Sequence, residues 1–158
     1  LETYNLFEAP ALQDSNSTDP KGFRGRFARI GQLLGGTRIG ATLYELGPGE
    51  RICPYHYEYN NEEWLLAVEG VPTLRTPAGE RELKPGDVVV FPEGPDGAHD
   101  VSNRTEERVR VVMLSTKNRP DVSVYPDSDK IGVWPGDERD EIIVPRSAGV
   151  DYWHGELD

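Results

Sequence analysis

From Phe23 to Thr116 the chain is a series of short apolar or alternating apolar–polar runs, each closed by a turn rich in glycine or proline. Trp64-Leu65-Leu66-Ala67-Val68 and Asp87-Val88-Val89-Val90-Phe91 are representative: β-branched and aromatic residues in runs too short for a helix. This pattern predicts strands over Phe27–Leu33, Arg38–Leu46, Ile52–Tyr57, Trp64–Glu69, Thr73–Thr76 and Glu80–Leu83, then Asp87–Phe91, Ala98–Asn103 and Val109–Ser115. Turn signals separate them at Gly35-Gly36, Gly47-Pro48-Gly49, Pro77-Ala78-Gly79 and Lys84-Pro85-Gly86. Many short strands at even spacing, without a long amphipathic helix, predict an all-β antiparallel sandwich or barrel.

The flanks read differently. Residues 1–22 show little periodicity and end in the polar stretch Gln13 to Pro20, which predicts an arm packed on the domain or on a neighbouring subunit. The barrel domain is expected over residues 23–116. Residues 117–158 carry Pro120, Pro126, Pro135 and Pro145 among many charges, which predicts an extended tail with two short strands. Trp134, Tyr152 and Trp153 give that tail aromatic bulk to bury against a surface.

At 158 residues the chain suits one domain with a single substantial core. An excess of 28 acidic over 17 basic residues gives a net charge of −11, which repels phosphate backbones and anionic membranes. Neither nucleic acid nor membrane is therefore expected as a partner. The single cysteine, Cys53, rules out an intramolecular disulfide and reads as a buried packing residue between Ile52 and Pro54. No segment approaches 18 apolar residues, and no basic region followed by an apolar run opens the chain, so a soluble, cytoplasmic protein is expected.

The candidate chemistry lies in His56-Tyr57-Glu58, in Glu63 after the Asn60-Asn61 turn signal, and in His99 after the turn-rich Pro92 to Gly97. On a regular strand His56 and Glu58 share a face. Imidazole and carboxylate groups converging inside a barrel suit a divalent transition metal.

Together these residues resemble the cupin superfamily, small β-barrels of jelly-roll type. The family's first motif is a glycine, His-x-His, a glutamate four or five positions on, and a glycine seven beyond that. Here it resembles Pro48-Gly49 through His56-Tyr57-Glu58, then Glu63 and Gly70. The second motif resembles Gly86-Asp87-Val88-Val89-Val90-Phe91-Pro92-Glu93-Gly94, then His99 and Asn103. The likeness covers about residues 36–116, and the tail adds a likeness to uncharacterised bacterial cupin-domain proteins. There are two departures. Glu58 stands where the family's second histidine falls, and two extra residues lengthen the turn before His99, with Pro95 to Gly97 spanning it.

The resemblance implies an antiparallel jelly-roll barrel, the double-stranded β-helix, with the amino-terminal arm and carboxy-terminal tail outside it. It implies a metal held by His56, Glu58, Glu63 and His99. A second carboxylate moves the preference toward hard ions, so Fe, Mn or Zn is expected. The function implied is a metal-dependent enzyme of oxygenase or isomerase type on a small organic molecule, in a homodimer. The alternative is a metal-free module that binds a sugar or an acid, in which case Glu58 turns to water or pairs with an arginine.

Other residues keep two readings. Tyr55, Tyr57 and Tyr59 form a stripe for packing or for a dimer contact. Arg38, Arg51 and Arg75 hold an anionic substrate if they face inward and are solvated otherwise. His154 is a lid over the barrel or a surface histidine of the tail. No G-x-S-x-G elbow, phosphate-cradling glycine loop or zinc-finger spacing is present, so nothing points to nucleophilic or nucleotide chemistry.

Overall fold

The computed structural model describes residues 2–156. Its elements in chain order begin with strands Gln13–Asp14 (β1) and Arg26–Ala28 (β2), one helical turn Ile30–Leu33 (α1), then Ile39–Leu46 (β3), Tyr57–Glu58 (β4) and Glu63–Glu69 (β5). Thr73–Thr76 (β6), Gly79–Glu82 (β7), Val88–Phe91 (β8), Asp100–Ser102 (β9) and Val109–Thr116 (β10) complete the region of the expected barrel. Asp121–Tyr125 (β11), Lys130–Trp134 (β12) and Ile142–Pro145 (β13) follow. The strands form a six-stranded sheet in the order β1-β2-β3-β10-β5-β8, a four-stranded sheet β13-β12-β11-β4 and a three-stranded sheet β7-β6-β9. Every pairing among the described residues is antiparallel, as expected for the jelly-roll class.

Alternation builds the barrel. On β5, Glu63, Leu65 and Ala67 point inward while Trp64, Leu66 and Val68 point outward. Leu65, Leu74, Val109 and Val111 are wholly buried in the barrel core. Each such aliphatic side chain contributes about 1.5–3 kcal/mol of burial. A second cluster lies on the outer face of the large sheet, where Ala9, Ile30, Leu43 and Val112 are covered by Tyr4, Leu6 and Leu12 of the arm. Gly70 makes the β5–β10 packing possible. It holds φ at +75°, and a Cβ there would stand 2.4 Å from the Arg108 carbonyl oxygen.

Several elements differ from expectation for local reasons. Phe27–Leu33 is not one strand: the chain leaves β2 at Ala28 and makes the turn α1, where Gly31 sits so close to β3 that a Cβ would be 2.8 Å from the Ala41 nitrogen. Ile52–Tyr57 is not a continuous strand either. Pro54 lacks an N–H for a ladder, and the segment bends, touching the sheet through isolated bridges Arg51 to Ser102 and His56 to His99. The tail supplies three strands rather than two, and β11 adds to the barrel by pairing with β4. Its end, including Tyr152, Trp153 and His154, is exposed. No helix among the described residues is long and apolar enough to cross a membrane.

Candidate metal centre

Three strand systems deliver three side chains to one point. Glu63 opens β5 on the inward face, His56 lies at the end of the bent segment before β4, and His99 lies just before β9, bridged to His56 by reciprocal backbone hydrogen bonds of 3.1 and 2.9 Å. The ligand atoms of His56, Glu63 and His99 all lie within 4.8 Å of one another. Glu63 Oε2 stands 3.3 Å from His99 Nε2 and 3.9 Å from His56 Nε2. The lengthened turn before His99 folds as a single 3₁₀ turn, Pro95–Gly97, whose last residue carries the carbonyl that holds the imidazole. The extra residues therefore do not remove His99 from the group.

Both imidazoles are oriented from behind. His56 Nδ1 lies 3.0 Å from the Pro54 carbonyl, and His99 Nδ1 lies 2.9 Å from the Gly97 carbonyl. A carbonyl only accepts, so each Nδ1 carries the hydrogen and each Nε2 presents a lone pair toward Glu63. Phe91 stacks on His99 with centroids 3.8 Å apart, and Tyr125 stacks on His56 at 5.9 Å.

The electrostatics follow from that geometry. Burial lowers the His56 pKa, and burial together with the neighbouring His56 lowers His99 to about 4. Burial, reinforced by Asp121 and opposed by a hydrogen bond from Ser115, raises Glu63 to about 7. Two lone pairs facing one buried carboxylate repel in the absence of a positive charge between them. A divalent cation removes that repulsion, and two imidazole nitrogens with one carboxylate are the donor set of non-haem metal centres with open positions. The residues fit a metal.

Glu58 is not among the three whose ligand atoms converge. The regular strand begins after His56, so the two-residue period does not carry His56 and Glu58 to one point. Burial, and then the Glu63 charge, raise its pKa to about 8, and its Oε2 is buried without a hydrogen-bond partner among the described residues. Glu62, the neighbour of Glu63, faces out and accepts from Trp64 Nε1 at 2.7 Å.

The centre opens into a cavity of about 230 Å³ lined by Tyr44, Ile52, Cys53, Val101 and Met113 as well as His56, Glu63 and His99. Sequence reading missed Tyr44 and Met113; their inward parity on β3 and β10 was the available signal. Burial raises the Tyr44 pKa to about 12, so its hydroxyl keeps its proton. Cys53 is a wall residue whose thiol is pushed up mainly by burial. The three arginines lie outside the cavity: Arg51 pairs with Asp100 at 3.3 Å, Arg75 chelates Asp127 and covers the Tyr55 ring, and Arg38 is exposed. Tyr57 and Tyr59 meet edge to face at 5.3 Å, and His154 lines no part of the cavity.

Comparison with known proteins agrees with this geometry. Residues 42–115 match the family model for the Cupin domain. No curated protein matches the sequence. Among solved structures, one from Acidithiobacillus ferrooxidans, provisionally named a sugar phosphate isomerase, superposes with a TM-score of 0.83 at 22% identity over 96% of this chain and 95% of its own. A sugar phosphate isomerase of the cupin superfamily from Silicibacter pomeroyi gives 0.78 at 22% identity, covering 94% and 95%. The polyketide cyclase RemF of Streptomyces resistomycificus gives 0.60 at 18%, covering 76% and 82%. With the barrel, the motif strands and the family match in place, residues 42–115 of this chain form a cupin domain.

Proposed function

We propose that this cupin is a metal-dependent enzyme that isomerises a small organic molecule inside its barrel. The observation that carries the reading is the convergence of His56 Nε2, His99 Nε2 and a Glu63 oxygen at the cavity, each imidazole already fixed by a backbone carbonyl. Bound Fe, Mn or Zn would supply Lewis acidity toward a substrate oxygen and keep positions open for it. The chain's own part is positional. His56 and His99 offer unprotonated Nε2 atoms, Glu63 offsets cation charge, and Ile52, Val101 and Met113 exclude water. Tyr44 Oη retains its proton and can donate a hydrogen bond into the cavity. Glu58, whose ligand atoms do not converge with those of His56, Glu63 and His99, keeps one buried oxygen without a hydrogen-bond partner among the described residues.

Two observations favour this over metal-free binding of a sugar or acid. Glu58 neither reaches water with both oxygens nor pairs with an arginine, and the ligand cluster exists. Isomerisation is preferred to oxygenation because the structures similar over nearly the whole chain, arm and tail included, carry the isomerase name. We place the activity in a cytoplasmic homodimer. Pairing is supported by exposed Leu114, Trp64 and Val90, which are cross-strand neighbours on the outer face of the large sheet beyond the region the arm covers. The test is a panel of aldose and ketose phosphates with metal-loaded protein. Interconversion that disappears in His56→Ala supports the mechanism, and turnover unchanged in that variant contradicts it.

A further inference from the structure

A second concavity, about 540 Å³, adjoins the barrel where α1 and the following loop meet β3. Arg29 and Lys117 line it with Gln32, Thr37 and Thr42, and no acidic side chain contributes to its wall. In a chain of net charge −11 such a site is unusual, and among the described residues neither cation takes part in an ion pair. Most other arginines near the barrel are already committed, Arg51 to Asp100, Arg75 to Asp127 and Arg110 to Glu45.

The groove and the metal cavity share a wall. Gly40, Thr42 and Tyr44 alternate onto the same face of β3; Thr42 lines the groove and Tyr44 lines the cavity. The Arg29 charge reaches the Tyr44 hydroxyl. Register fixes the separation: Gly40 lies opposite Ser115, and Ser115 lies opposite Glu63. Two strand spacings put the Gly40 backbone in the groove wall about 10 Å from the backbone of Glu63. That span suits a short polyhydroxylated chain with one end at each site.

We infer that the groove of Arg29 and Lys117 binds the phosphate monoester of the substrate whose carbonyl or hydroxyl end enters the metal cavity. This names a substrate class and rests on the reading of the cavity as the catalytic site. Two cations match a dianion, and threonine and glutamine side chains offer further donors. The acid-free groove also favours the approach of an anion to an otherwise acidic protein.

The test uses the full chain and inorganic phosphate, followed by ³¹P line width. Metal-free protein should broaden the phosphate signal saturably, less so at higher salt. Arg29→Ala/Lys117→Ala, both exposed positions, should weaken binding at least about ten-fold while metal content measured on the same preparations stays unchanged. Loading with Mn²⁺ should then place bound phosphorus roughly 10 Å from the ion. Equal phosphate binding by the double variant, no saturable binding by the natural protein, or displacement by acetate at equal concentration overturns the assignment. Phosphate binding that depends on the two cations in a protein that takes up no metal would keep the groove and remove the catalytic reading.

Discussion

Glu63 gives the metal-free protein a pH signature that metal inverts. In the fold its pKa rises from 4.5 to about 7, because burial penalises the charged carboxylate and Asp121 adds to the effect, against a hydrogen bond from Ser115. Between those values the folded state binds a proton that the unfolded chain has released, so stability falls as pH rises through the folded pKa. From about pH 6 to about pH 8 the loss from this group alone is about 1.4 kcal/mol. For a domain of this size that corresponds to roughly 3–5 °C in Tm. His99 works the other way on the acid side: its folded pKa of about 4 lies below 6.5, so its contribution is lost as pH falls. A comparison with Glu63→Gln separates the two, since Gln resembles the protonated acid and His99 is common to both proteins. Glu58, raised to about 8 in part by Glu63, adds to the difference in the same sense.

The assay is thermal denaturation of both proteins in chelator at several pH values. The natural protein should lose stability relative to Glu63→Gln as pH rises. Adding Mn²⁺ or Zn²⁺ should reverse the slope for the natural protein only, because metal displaces the proton and binds more tightly as pH rises. Parallel curves for the two proteins in chelator would refute the claim that burial makes Glu63 hold its proton in the fold.

Asn103 is fully buried, donates to the Leu46 and Glu107 carbonyls at 3.0 and 2.7 Å, and accepts from Thr105 N and Oγ1; Asn103→Ala should cost about 2–3 kcal/mol by denaturant unfolding, with a residual metal site. Arg110 joins buried Glu45 to the arm through the Phe7 carbonyl at 2.7 Å. Because Arg26 and Arg108 still face Glu45, Arg110→Ala should fall at the low end of a broken buried pair, about 3 kcal/mol, and should release the arm to protease. Trp64→Asp should convert the proposed dimer to a monomer of 17.6 kDa in light scattering; a natural protein that is itself monomeric contradicts the pairing.

Much of the barrel was legible because its strands alternate and its turns carry glycine and proline. Trp64 to Glu69 and Val109 to Ser115 are strands close to their expected bounds. What escaped was tertiary in origin. The bend at Pro54 and the turn α1 depend on how closely the backbone approaches β3 and β9, which period alone does not encode. His56, Glu63 and His99 were legible as a group from motif spacing. Glu58 entered the set from its motif position, and it lies outside the three whose ligand atoms converge because the segment before it is not a regular strand. The Arg29–Lys117 groove left no local mark, since it comes together only when β3 is flanked by β10 and α1.

The central claim is that His56, Glu63 and His99 hold one divalent transition ion. Elemental analysis by plasma mass spectrometry, on protein purified without a polyhistidine tag or chelator, tests it directly. The account predicts about one Fe, Mn or Zn per chain, lost in folded His99→Ala and in folded Glu63→Ala. A natural protein that stays metal-free after dialysis against all three ions, or variants that retain the full metal content, would contradict it.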